Sequence, residues 1–196
     1  MRLNQKFANK AFTLIELMVS IGIIIALTIV FMTNYHFVNS RTDVIMVAQK
    51  LVADIHSTQN DALGLAKYNG YLPAGGWGLS FSTAKNSYTL FADLNAPGNS
   101  GYMQYDPSPS GEGVVKYGAR VTTLPPGITI SNLKTDQNSS TTAVNLTFLP
   151  PDPQTNIYDV GSAATSTTLL ITLKEAQNGS TKIIRVNFLG LAEVTN

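Results

Sequence analysis

Residues 12–32 read Phe-Thr-Leu-Ile-Glu-Leu-Met-Val-Ser-Ile-Gly-Ile-Ile-Ile-Ala-Leu-Thr-Ile-Val-Phe-Met, and Glu16 is their only ionisable group. At ~1.5 Å rise per residue this stretch spans ~30 Å, the thickness of a bilayer core. Core helices of globular domains are shorter and interrupted by polar residues on one face, so the expected element is a transmembrane helix over about residues 12–34. Arg2, Lys6 and Lys10 precede it without an acid, whereas Arg41 and Asp43 offset each other beyond it. The positive-inside rule then puts the N-terminus in the cytoplasm and the rest of the chain outside. A secretory signal peptide would have a shorter apolar stretch ending at a small-x-small cleavage site. Here the stretch runs on into Asn34-Tyr35-His36-Phe37-Val38, a polar-aromatic band suited to a membrane interface.

The helical period continues past the apolar stretch. Val44, Ala48, Leu51, Val52, Ile55, Ala62, Leu63 and Ala66 recur at spacings of three, four and seven, while Asp43, Lys50, Asp54, Ser57 and Asp61 fall largely on the other side. No proline interrupts residues 13–67, and Asn69-Gly70 is a helix stop. One helix is therefore expected over residues 12–69, transmembrane in its first half and amphipathic in its second. Its second half needs a sheet laid along one face.

Glu16 is the most informative residue. A carboxylate inside an apolar helix costs up to roughly 2.5–3.5 kcal/mol at mid-bilayer, so such a residue normally finds a partner or snorkels to the interface. Its surroundings, Lys10-Ala11-Phe12-Thr13-Leu14-Ile15-Glu16-Leu17-Met18-Val19, resemble the processing site of class III signal peptides, those of type IV prepilins and type II secretion pseudopilins. The resemblance implies that residues 1–11 are a leader, that prepilin peptidase cuts between Ala11 and Phe12, and that the new amine of Phe12 is methylated. It also implies that the apolar helix is retained and that the Glu16 carboxylate meets the N-terminal ammonium of a neighbouring subunit as helices bundle. Ala11 stands where the family prefers glycine; both are small.

Punctuation separates the rest of the chain. All nine prolines lie beyond residue 72, and residues 70–196 alternate short apolar runs with Gly, Ser, Thr and Asn, which predicts a β-rich body. Expected strands are residues 76–82 and 88–92 as a hairpin, then 114–124, 127–133, 144–149, 169–174 and 182–189. The last two flank Asn178-Gly179 as a second hairpin, with Leu169, Ile171 and Leu173 near Ile184, Val186 and Phe188. About seven antiparallel strands against one helix face make an α+β protein. Residues 134–142 and 150–168 read as polar, exposed loops.

This half resembles the GspH/FimT-type minor pseudopilin and minor pilin domain in Trp77-Gly78-Leu79-Ser80-Phe81, Tyr88-Thr89-Leu90-Phe91-Ala92-Asp93-Leu94-Asn95, Leu124-Pro125-Pro126-Gly127-Ile128-Thr129-Ile130, Phe148-Leu149-Pro150-Pro151-Asp152-Pro153 and Val186-Asn187-Phe188-Leu189-Gly190. The implied fold is that of a pilin. The implied role is a minor pseudopilin of a type II secretion pseudopilus in the bacterial inner membrane, at or near the filament tip, with other pseudopilins, prepilin peptidase and the inner-membrane assembly platform as partners. A FimT-like minor pilin, which initiates a type IV pilus or captures DNA, is the alternative that the same resemblance allows.

Other chemistry finds little material. With no cysteine and two histidines, His36 and His56, twenty residues apart on one helix, the inventory for zinc or nucleophilic catalysis is nearly empty, and no enzyme activity, metal or cofactor is expected. Asp93-Leu94-Asn95-Ala96-Pro97-Gly98 begins like a calcium loop, but Pro97 replaces a ligand; Asp106 or Glu112 could complete only an irregular site, and a turn is the favoured reading. Asn138-Ser139-Ser140, Asn145-Leu146-Thr147 and Asn178-Gly179-Ser180 fit glycosylation acceptors, a pattern common by chance in Asn/Thr-rich loops. Without the leader, ten basic residues stand against twelve acids. Lys174, Lys182 and Arg185 are the only positives near the acidic end at Glu193, so nucleic acid is not an expected partner.

Overall fold

The computed structural model describes residues 13–105, 120–150 and 154–195, with side chains throughout except over 33–41 and at Gln154. The chain divides into two units, Met1–Asn39 and Ser40–Asn196. A single helix, α1 (Leu14–Leu63), is followed by ten strands: β1 (Gly76–Ser82), β2 (Ser87–Asp93), β3 (Arg120–Thr123), β4 (Ile128–Thr135), β5 (Ala143–Leu149), β6 (Gln154–Asp159), β7 (Ala164–Ser166), β8 (Thr168–Glu175), β9 (Thr181–Asn187) and β10 (Ala192–Thr195). The protein is α+β with antiparallel sheets. One sheet has six strands in the order β3-β2-β1-β5-β6-β7, and the other has four in the order β10-β9-β8-β4.

Within the first unit, the described side chains up to Met32 are all exposed. Thr13 caps the helix: its Oγ1 accepts from the Glu16 backbone N–H at 3.3 Å, and its carbonyl accepts the first helical bond, from the Leu17 N–H.

In the second unit the amphipathic stripe closes the core. Val44, Val47, Ala48, Leu51, Ile55, Thr58 and Ala62 are buried at helical spacing, and the apolar members join one cluster with Leu79, Phe81, Tyr88, Leu146, Phe148, Ile171 and Ile184 from both sheets. Burying each large aliphatic side chain contributes roughly 1.5–3 kcal/mol. Two polar contacts fix the helix and the turn that follows it on the six-stranded sheet. The Tyr88 hydroxyl donates to Asp54 Oδ2, and Trp77 Nε1–H donates to the carbonyl of Ala66 at 3.1 Å. Burial, then the Asp54 carboxylate as hydrogen-bond acceptor and negative charge, pushes the Tyr88 phenol well above its ordinary pKa.

Both expected hairpins form. β1 pairs β2 with Leu79 opposite Leu90, and β8 pairs β9 with Leu169 opposite Val186 and Ile171 opposite Ile184. Phe188 lies beyond β9 and is exposed, contrary to its expected place in that register. Three further differences concern boundaries. The expected loop 150–168 carries β6 and β7, because backbone pairing with β5 and a single inward apolar residue, Ile157, suffice to make a polar segment a strand. Residues 192–195 add β10 on Val186 and Arg185, so the described residues hold ten strands where the apolar runs mark about seven. Of the run 114–124, the described residues form only β3.

The helix stops at Leu63, before Asn69-Gly70. The Ala66 N–H donates to Asp61 O at 2.9 Å and the Leu65 N–H to Ala62 O at 3.1 Å, a Schellman closure that places Leu65 at φ 52°. Asn69 and Gly70, at φ 49° and 84°, instead form the two-residue turn of a small hairpin between Tyr68 and Tyr71. A left-handed leucine costs roughly 1–2 kcal/mol. Leu65 is 48% exposed and gives up little packing, so Leu65→Gly is expected to raise unfolding stability by about 1 kcal/mol. Denaturant titration checks this; a loss of 1 kcal/mol or more would mean that the Leu65 side chain matters more than its backbone.

Candidate functional site

The segment Leu14–Met32 has a mean hydropathy of 2.7, and none of it is buried within the protein; it is long and apolar enough to cross a membrane. Its polar side chains are handled inside the helix. The Ser20 hydroxyl donates to Glu16 O and the Thr28 hydroxyl to Ile24 O, both at 2.7 Å, which removes the need for water. Glu16 is the exception. It sits in the first turn of α1, three residues after Thr13, the Thr-x-x-Glu spacing of a capping box, where a negative charge meets the positive end of the helix dipole. The sequence reading of Glu16 did not use that local role, although the spacing announces it. Ala11 and Phe12 lie outside the described residues.

The body holds several buried carboxylates, and each closes a loop. Asp93, with no accessible surface, receives the Asn95 N–H on Oδ1 at 2.8 Å and the Met103 N–H on Oδ2 at 2.6 Å, tying together the two ends of residues 94–104. Gly75 makes room for it: a Cβ there would lie 2.1 Å from Asp93 Oδ2. The tied loop lies over the outer face of the six-stranded sheet, where Thr147 donates to Met103 O at 2.9 Å and Tyr105 packs on Phe91 with ring centroids 5.5 Å apart. The segment that begins like a calcium loop is thus a turn whose acid is occupied by backbone donors. Asp106 and Glu112 lie outside the described residues.

Asp159 receives the Thr141 hydroxyl at 2.5 Å and the Gly161 N–H at 2.9 Å. Burial opposes its charge, but these donors outweigh it and hold the carboxyl below the usual range. Most of residues 134–142 are exposed, as expected, while Thr135 and Thr141 are buried and fasten the loop to the body. Glu175 receives the Gln177 and Asn178 N–H groups at 2.8 and 2.7 Å and closes the β8–β9 turn. Among the described residues no three His, Asp or Glu side chains are grouped to hold a metal ion. Of the three cations near the C-terminal end, Arg185 stands opposite Glu193 in the β9–β10 register.

No protein-family model, curated protein or solved structure matches the chain.

Asp93 carries a pH signature. Burial is the largest influence and pushes its carboxyl up to about 6, against the pull of the N–H groups of Asn95, Met103 and Gln104. An unfolded aspartate titrates near ~3.9. The folded protein therefore binds this proton more tightly, and the group's contribution to stability is full below about pH 4 and lost as pH rises through about 6. Carbon-detected NMR titration should give Asp93 a midpoint near 6. The Tm should fall across that window in the native chain and flatten in Asp93→Asn; an Asp93 midpoint near ~4 contradicts this.

Proposed function

We propose that this chain is a minor pseudopilin, a structural subunit of a type II secretion pseudopilus held in the bacterial inner membrane by residues 14–32, with its β-rich body on the periplasmic side. The observation that carries the reading is that one helix, α1, bears two different apolar surfaces. Leu14–Met32 is uncovered, bilayer-length and ionisable only at a first-turn glutamate, whereas residues 44–62 carry a narrow stripe consumed by the body's own core. A disposable targeting signal does not need Glu16, and an ordinary anchor does not need a helix that also supplies a core.

Glu16 acts in assembly through simple electrostatics. Cleavage before Phe12 would leave an ammonium close to the N-terminal end of α1, where the helix dipole already disfavours positive charge. In lipid neither that ammonium nor the Glu16 carboxylate is tolerable alone, and adjacent subunits satisfy both by pairing the carboxylate of one with the amine of the next. The body then works by contact, in low copy number near the filament tip, with other pseudopilins as neighbours and with prepilin peptidase and the assembly platform acting on the N-terminal segment.

Two measurements test this. Mass spectrometry of membrane-extracted protein should find a methylated N-terminal Phe12; a chain cut beyond residue 32 would restore a plain signal peptide. Glu16→Ala should remain in the membrane fraction, because insertion requires only apolarity, while its crosslinking to other pseudopilins falls at least tenfold. Undiminished crosslinking would reduce Glu16 to a cap of its own helix.

A further inference from the structure

Two Asn-Gly steps occur in the chain, Asn69-Gly70 and Asn178-Gly179, and the fold treats them in opposite ways. An Asn-Gly step can react with itself. The backbone nitrogen of the glycine attacks the side-chain Cγ of the asparagine, the new N–Cγ bond closes a five-membered succinimide, and the Cγ–Nδ2 bond breaks as ammonia leaves with the proton of the attacking amide. Water then opens the ring at either carbonyl and leaves aspartate or isoaspartate. Glycine favours the attack because no Cβ shields its nitrogen, and in a folded chain the rate depends on whether that nitrogen can reach Cγ.

At Asn178 both reacting groups are held. The Gly179 N–H donates to Glu175 O at 3.1 Å, and Asn178 Oδ1 accepts the Ser180 N–H at 2.7 Å. The Glu175 carboxylate takes the Gln177 and Asn178 N–H groups, the Glu175 N–H donates to Ser180 O at 2.9 Å, and the Ala176 N–H donates to Gly127 O at 2.8 Å. Bringing the Gly179 nitrogen onto Asn178 Cγ would break this turn and the end of the β8–β9 ladder it closes.

Asn69 has no such restraint. Asn69 and Gly70 are exposed, and among the described residues neither the Asn69 side chain nor the Gly70 N–H has a hydrogen-bond partner. A Cβ on Gly70 would meet nothing within 4 Å, so the approach to its nitrogen is open. Only the lone bridge between Tyr68 and Tyr71, two bonds of 2.9 Å with no ladder beside it, keeps the turn closed. Exposed bridges of this kind open at little free-energy cost.

We propose that Asn69 is a self-modification site, converted to aspartate and isoaspartate by attack of the Gly70 nitrogen, whereas the Glu175 turn preserves Asn178 as the amide. Isoaspartate lengthens the backbone by a methylene, which a two-residue turn does not accommodate, so the Tyr68–Tyr71 bridge is lost with it. Tyr68 packs edge-on against Trp77 with ring centroids 6.5 Å apart, and Trp77 Nε1–H holds the carbonyl of Ala66. The modification therefore loosens the segment between α1 and β1 and sets a carboxylate two residues from Lys67. None of this depends on what the chain assembles with.

The test compares the detergent-extracted full-length chain, held at mildly alkaline pH, with the same chain held in denaturant. Trypsin separates the two sites, because Lys67 and Lys85 bracket Asn69 while Lys174 and Lys182 bracket Asn178, and mass spectrometry reads amide-to-acid conversion in each peptide. Relative to the unfolded chain, folding should slow Asn178 at least about tenfold more than it slows Asn69. Slowing of Asn69 equal to or greater than that of Asn178 would overturn the proposal. Glu175→Gln should speed conversion of Asn178 and leave Asn69 unchanged; unaltered Asn178 conversion in that variant would remove Glu175 as the protecting group. Trp77, the single tryptophan, reports the loosening: its emission should shift as isoaspartate accumulates and stay constant in Asn69→Gln. Steady Trp77 emission in converted chains would overturn the link between the modification and the α1–β1 segment.

Discussion

Nineteen consecutive residues of α1 present apolar surface on every side, and nothing within the described protein covers it. Water cannot be the solvent for such a surface, because a helix apolar all round must lie in lipid or against other helices. The rest of the molecule is arranged around that requirement. Hydroxyls in the segment bond back to carbonyls four residues earlier, the first turn is capped by Thr13, and the lone carboxylate is confined to the helix end, where the dipole favours it.

The second unit solves a different problem with the same helix. From Val44 onward only one face is apolar, and both sheets contribute side chains to the cluster that covers it. Polar residues then fix what packing alone would leave free to slide. Tyr88 and Asp54 lock the helix to β2, Trp77 reaches the carbonyl of Ala66, and Asp93, Asp159 and Glu175 each collect backbone N–H groups that would otherwise be stranded at a loop end. Asp93, Asp159 and Glu175 are thus loop closures, and that use accounts for these three buried carboxylates.

How much was legible in the sequence followed from how much each element depends on its own side chains. Alternation at Trp77, Leu79 and Phe81 and the Asn178-Gly179 turn mark β1 and the β8–β9 hairpin without help from elsewhere. β6 and β7 were hidden, because Gln154, Thr155 and Asn156 look like loop and acquire strand character only from the backbone of β5. The end of the helix misled for a related reason: Gly64 and Gly70 are both plausible stops, and the closure that forms uses Leu65 in a conformation that its side chain disfavours. Glu16 stood out at once as a lone charge among apolar residues, and its spacing from Thr13 carried the capping role as well. The Tyr88–Asp54 pair joins residues 34 apart, and no local pattern announces it.

The central claim is that the two halves of α1 live in different solvents, and site-specific labelling of the cysteine-free chain tests it most directly. Ile24→Cys and Lys50→Cys, each in the full chain in sealed spheroplasts, are exposed to a membrane-impermeant maleimide. Lys50→Cys should label from outside at once, whereas Ile24→Cys should label only after detergent dissolves the bilayer. Equal labelling of both positions in intact membranes would contradict the account, and so would a mature chain that has lost residue 24 altogether.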